Sequence, residues 1–144
     1  MFSSGLLADV SARRGVPLAR VHRTQIVAGM IVSAACTWFV ANSHSTTSAV
    51  AGITGALFFI HFAGTSGWGY TQVIGASRSV ASLGALQNFA SFLIASIAPV
   101  LTGWLLDHTH SFNFALLICS FVTLLGALSY ATLAAPHPSL TLES

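Results

Sequence analysis

Residues 80–106, VASLGALQNFASFLIASIAPVLTGWLL, contain no Asp, Glu, Lys or Arg. An α-helix needs roughly 20 apolar residues to cross a hydrocarbon core, and this stretch is longer. A water-exposed helix of that length would need a polar face, which the stretch cannot supply. In lipid every backbone N–H and C=O must be satisfied within the segment, so the stretch is predicted to be helical. Working outward, residues 24–42, 47–74 and 111–135 read the same way. The prediction is an all-α integral membrane protein with four transmembrane helices, preceded by a segment at 1–23 and followed by a tail at 136–144.

Composition agrees. Hydrophobic residues make up 54% of the chain and charged residues 6%, against about 25% charged in an ordinary soluble domain. Every charge falls outside the four stretches: Asp9, Arg13, Arg14, Arg20 and Arg23 before the first, Arg78 after the second, Asp107 after the third, Glu143 in the tail. Arginines gathered at helix ends are a topology signal and not a nucleic-acid footprint. The N-terminal segment and loop 75–79 hold all of them, and loops 43–46 and 107–110 hold none. The positive-inside rule then places both termini in the cytoplasm. Reading the first stretch as a signal peptide fits less well, because it exceeds a usual apolar region and lacks a small-x-small cleavage site after it.

Chemistry-bearing residues are sparse. Cys36 and Cys119 sit within apolar stretches and read as small packing residues. His108 and His110 have no carboxylate or cysteine at ligand spacing and read as solvated loop histidines, so no metal or other cofactor is expected. No nucleophile, base or metal cluster marks an enzyme. The turn formers at 42–45, 75–78 and 107–110 end the first three helices, and Pro136 and Pro138 stop the fourth.

Polar residues inside the stretches are patterned. Thr54, His61, Thr65, Trp68 and Gln72 recur at helical spacing on the second, forming one stripe unlikely to face lipid. On the third, Gly84, Asn88, Ser91, Ala95, Ala98 and Thr102 form a stripe of small and polar residues. Helix packing accounts for Gly84, Ala95 and Ala98, whereas Asn88 carries an amide that needs a partner. Weaker marks are Gln25 near a membrane edge, Ser33, Thr123 and Ser129. His61, read as the only intramembrane histidine, is either a proton-coupling group or a neutral residue bonded to a neighbour. Trp68 either stacks on a substrate or braces the glycines at 64, 67 and 69.

The N-terminal segment carries the most specific motif: Gly5-Leu6-Leu7-Ala8-Asp9, then Arg13-Arg14-Gly15. A glycine permits close helix approach, and a carboxylate with arginines four and five residues on can latch a loop to a neighbouring helix; on spacing alone the segment reads equally as an ordinary positive-inside flank with one acid in it. This resembles the cytoplasmic-loop signature of the major facilitator superfamily, with Val10 and Ala12 departing from its usual basic residue and glycine. Gly67-Trp68, Leu86-Gln87-Asn88-Phe89 and Pro99-x-x-x-Gly103-x-x-x-Asp107 extend the likeness. They resemble the last third of the anion:cation symporters, which carry sugar acids and other organic anions.

The resemblance implies a partial C-terminal bundle of a major facilitator fold, helices nine to twelve of a twelve-helix secondary transporter in a bacterial inner membrane. It implies an organic-anion substrate moved with a proton by alternating access, and a missing N-terminal half that carries most of the charged anion- and proton-binding groups. It also makes the tenth helix a cavity wall, the eleventh its flank and the ninth and twelfth outer scaffold. Candidate cavity residues are accordingly Thr65, Trp68, Gln72, Asn88 and His61, and candidate latch residues Gly5, Asp9, Arg13 and Arg14. Such a chain is expected not to transport alone. A non-transporting membrane partner subunit and a small oligomeric four-helix exporter are alternatives. The exporter lacks the intramembrane carboxylate that proton coupling favours.

Overall fold

A computed structural model describes residues 2–13, 15–75 and 79–133, with the side chains of residues 2–4 and 12 outside the description. Arg14, Arg78, Glu143 and the tail at 136–144 therefore lie outside the described residues. Five helices follow one another: α1 (Phe2–Arg13), α2 (Leu18–Ala41), α3 (Thr46–Ile74), α4 (Val80–Thr109) and α5 (Phe112–Leu133). All but α1 are long and apolar enough to span a membrane. The molecule is an all-α integral membrane protein.

Helix ends differ from the sequence boundaries in two places, for local reasons. α2 begins at Leu18, ahead of the expected 24, with Pro17 at its N-cap (φ −56°). A fixed proline φ suits a helix start, and long arginine stems let Arg20 and Arg23 sit in a helix that enters lipid. α4 continues past Asp107 and His108 to Thr109, and stops at His110, which has φ 50°. The expected loop at 107–110 is thus mostly a last helical turn, ended by one left-handed residue.

Hydroxyls in the spans are satisfied locally, as lipid requires. Thr37, Thr54, Thr65, Ser91, Ser96, Thr102 and Thr123 each donate to the carbonyl four residues earlier at 2.8–2.9 Å. This back-bonding allows polar residues in a membrane helix without a partner helix.

α2 is the hub. It packs along α3 and along α5, and its touching residues run in opposite directions. Against α3, Gly69 meets His22, Ser66 meets Gln25, Ala63 meets Gly29 and Gly52 meets Val40. Against α5, Tyr130 meets Arg23 and Ser120 meets Ala34. Both pairings are antiparallel. Glycine sets the α2–α3 distance: a Cβ on Gly29 would lie 3.0 Å from the Phe59 carbonyl oxygen, and one on Gly52 2.5 Å from Val40. Hydroxyls join the seams, Ser33 donating to the Ala56 carbonyl and Ser120 to that of Ala34, both at 2.9 Å. Small residues and interhelical hydrogen bonds replace the hydrophobic effect, which gives no net drive between helices in lipid.

Within the described residues α2 is the most enclosed of the four spans. α4 is the opposite case. Gly84 is its only buried residue, and it meets α3 and α5 over short stretches. Pro99 also interrupts its ladder, since proline cannot donate to the Ala95 carbonyl.

Candidate substrate-cavity face

On α3 the expected stripe is partly self-satisfied. His61 Nδ1 lies 2.8 Å from the Leu57 carbonyl, and the Thr65 hydroxyl donates to the His61 carbonyl at 2.9 Å. Thr54 closes the same kind of bond with Val50. His61 is exposed, and its ring is already held by its own helix. Of its two readings, the geometry gives the bonded one a concrete partner.

Trp68 and Gln72 keep their polar groups available. Trp68 is 41% exposed, with one edge of its indole over Gly84, where an added Cβ would come within 3.1 Å of the ring. The structure therefore joins the α3 stripe to the α4 stripe at one contact. Asn88, one turn beyond Gly84 on the same face of α4, is exposed, as is Gln72 one turn beyond Trp68 on α3. Nearby, the Thr71 hydroxyl donates to Gln87 Oε1 at 2.7 Å, tying α3 to α4. Trp68 thus meets α4 at Gly84, whereas Gln72 and Asn88 are exposed one turn away in opposite directions along this antiparallel pair, Thr65 is half-buried on α3, and His61 sits about 10 Å back along α3.

A cleft of about 460 Å³ lies elsewhere, between α4 and α5. Ile94, Leu101, Ile118 and Val122 line it, and its Thr102 and Thr123 hydroxyls are spent on their own helices. Apart from the weakly donating Cys119 thiol its lining is apolar or already bonded, and it suits hydrocarbon.

Of the expected latch residues, Asp9 and Arg13 are exposed on α1, one turn apart. Gly5 has open space beside it, with nothing within 4 Å of where a Cβ would stand, so the close approach it permits is not made among the described residues.

Three features escaped the sequence reading. His61 is not the only histidine in a span: His22 lies in α2, 8% exposed, its ring set against Gly69, where a Cβ would come within 2.5 Å. Arg20 and Arg23 around it had marked that stretch as water-facing. Gln25, taken as a membrane-edge residue, is buried, and its Oε1 accepts from fully buried Ser66 at 2.9 Å. Arg23, counted as a topology charge, donates from Nε to the Tyr130 carbonyl at 3.1 Å and also to that of Ala131. Helical spacing does bring residues 22, 25 and 29 onto one face of α2, the one available signal for the first two.

The four apolar spans define an integral membrane protein whose span polar residues are few. The known proteins it resembles are transporters. Over 130 residues, 90% of this chain, it is 48% identical to the probable L-galactonate transporter of Escherichia coli (strain K12), covering 29% of that protein. It is 33% identical over 130 residues to the uncharacterized transporter YybO of Bacillus subtilis (strain 168), covering 88% of this chain and 29% of that one. The probable galactarate/D-glucarate transporter of the same bacillus is 26% identical over 139 residues, 96% of this chain and 30% of that protein. The chain thus spans about three-tenths of the length of these relatives. No protein-family model matches it, and no solved structure does.

Proposed function

We propose that this chain forms the last four membrane helices, with the loop before them, of a major facilitator transporter for sugar acids. The observation that carries the reading is the 48% identity to the probable L-galactonate transporter over 90% of the chain. In this reading the protein is an organic-anion/proton symporter of the anion:cation symporter type, working by alternating access in a bacterial inner membrane. Trp68, Gln72, Asn88 and Thr65 form part of one cavity wall. Trp68 supplies a flat apolar surface for the sugar-acid carbon chain, and the two amides hydrogen-bond its hydroxyls. Their exposure in a span supports this, because an amide in lipid needs a partner and a substrate cavity provides one.

No Lys or Arg of this chain stands at mid-span, so the substrate carboxylate finds its counter-charge on the other half of the transporter. The chain alone is therefore incompetent, and Asp9 with Arg13 and Arg14 acts on conformational change and not on binding.

A chimera tests the reading. Residues 1–144 replace the matching segment of the Escherichia coli relative, and uptake of labelled L-galactonate is measured in proteoliposomes beside the unfused chain. The chimera should transport and the chain alone should not. Trp68→Ala and Asn88→Ala in the chimera should each weaken binding about tenfold. A chimera that inserts and binds no sugar acid, or saturable proton-driven uptake by the chain alone, overturns the proposal.

A further inference from the structure

Where α1 turns into α2 at residues 15–17, a cleft of about 290 Å³ opens between the two helices, lined by Leu7, Ser11, Val16, Arg20 and Thr24 among others. Helix α2, the first candidate span, begins at Leu18 and carries Arg20 and Arg23 before its uncharged stretch opens at residue 24, so the elbow stands at the end of a span. This holds whichever side of the membrane the elbow occupies.

The walls have two characters. One is apolar, and the helix that provides it is itself exposed: Leu6, Leu7 and Val10 of α1 all face outward. Leu7 and Val16 supply the apolar side of the cleft, which is open at its mouth. The other wall is cationic. Arg20 is exposed and its guanidinium has no partner among the described residues. The Ser11 hydroxyl is likewise unpartnered among them, whereas the Thr24 hydroxyl is already donated to the Arg20 carbonyl at 2.9 Å. The α2 N-terminus adds to the field. Pro17 offers it no side-chain cap, and the first helical bonds run from Arg20 and Val21 to the Pro17 carbonyl. The N–H groups of Leu18 and Ala19 precede that ladder, which makes this end attractive to an anion.

We propose that the α1–α2 cleft binds the phosphodiester headgroup of an anionic membrane lipid. The Arg20 guanidinium forks onto two phosphate oxygens, Ser11 donates to a third position, and the glycerol end rests against Leu7 and Val16. A lipid fits better than a free anion because Leu7, Val16 and Val21 make much of the cleft apolar and the cleft stands where a candidate span begins. Juxtamembrane arginines attract acidic lipids in general. The cleft distinguishes Arg20 from the others by pairing it with a hydroxyl and an apolar floor.

The test uses the purified full chain in phosphatidylcholine nanodiscs with increasing phosphatidylglycerol, and bound lipid is read by native mass spectrometry after release. The unsubstituted chain should retain phosphatidylglycerol over phosphatidylcholine. Arg20→Gln should lower that retention about tenfold and Ser11→Ala a few-fold, with helicity by circular dichroism unchanged. Arg13→Gln, on α1 outside the cleft, should lower it less than twofold. Equal losses for Arg13→Gln and Arg20→Gln would mean a diffuse positive surface and overturn the site. Displacement of the lipid by millimolar glycerol phosphate or inorganic phosphate, neither of which has an acyl chain, would overturn a lipid as its occupant. If Arg20→Gln misfolds, Arg20→Lys keeps the charge without the fork and should show a smaller, graded loss. Unchanged retention there, with Ser11→Ala also silent, counts against the geometry.

Discussion

Arg23 near the start of α2 closes the end of α5, its Nε donating to the Tyr130 carbonyl at 3.1 Å and its terminal nitrogen to that of Ala131. The last carbonyls of a helix have no partner within it and carry its partial negative charge, so a guanidinium there satisfies acceptors and the dipole together. The Tyr70 and Tyr130 rings meet edge to face beside it at 6.5 Å. Replacing Arg23 by Gln should destabilise the protein by about 1–2 kcal/mol, with Lys recovering part. Thermal unfolding in detergent, followed by tryptophan fluorescence, measures it. A change within about 0.3 kcal/mol would show the contact to be energetically empty.

Ser66 has no exposed surface, and its hydroxyl is shared between Gln25 Oε1 and the Phe62 carbonyl at 2.9 and 3.1 Å. Interhelical hydrogen bonds in membranes contribute about 0.6 kcal/mol on average and up to about 1.7. A double-mutant cycle on Ser66→Ala and Gln25→Leu should give a coupling of about 1 kcal/mol, because the site is dry. Additive effects of the two would place the stabilisation elsewhere.

The glycines of α3 divide by what stands opposite. At Gly69 an added methyl meets the His22 ring, whereas at Gly64 it meets nothing within 4 Å. Gly69→Ala should therefore cost about 1–3 kcal/mol by overpacking, and Gly64→Ala should be neutral or slightly stabilising through helix propensity. His22→Ala should relieve much of the Gly69→Ala loss. Failure of that rescue would mean the α2–α3 backbones, and not the imidazole, resist the methyl.

For topology, single cysteines at Ser45, Ser77, Thr109 and Ser139 are introduced into a chain with Cys36 and Cys119 replaced. Ser45 and Thr109 should react with an impermeant reagent from outside the cell, and Ser77 and Ser139 should react after lysis. Outside labelling at Ser139 would reverse the orientation derived from the arginines.

In the chimera described above, Asp9→Asn should slow L-galactonate uptake severalfold and leave equilibrium binding within about twofold. Loss of binding in proportion to uptake would assign Asp9 to the site instead of the latch.

The sequence by itself determined the number and type of spans. Uncharged apolar runs longer than a bilayer have one backbone solution, and their composition shows it without any partner. Helical spacing likewise brought Thr65, Trp68 and Gln72 onto one face of α3, because that periodicity belongs to a single helix. What only the tertiary structure decided is what each face meets. Nothing local separates Gly29, pressed on Phe59, from Gly64, which faces open space, since a glycine's meaning lies in the atom across from it. Nor could charge counting show that Arg23 caps a helix end more than a hundred residues away, or that His22 is buried against Gly69. Those contacts depend on the α2–α3 and α2–α5 registers, which are set by summed packing across two seams.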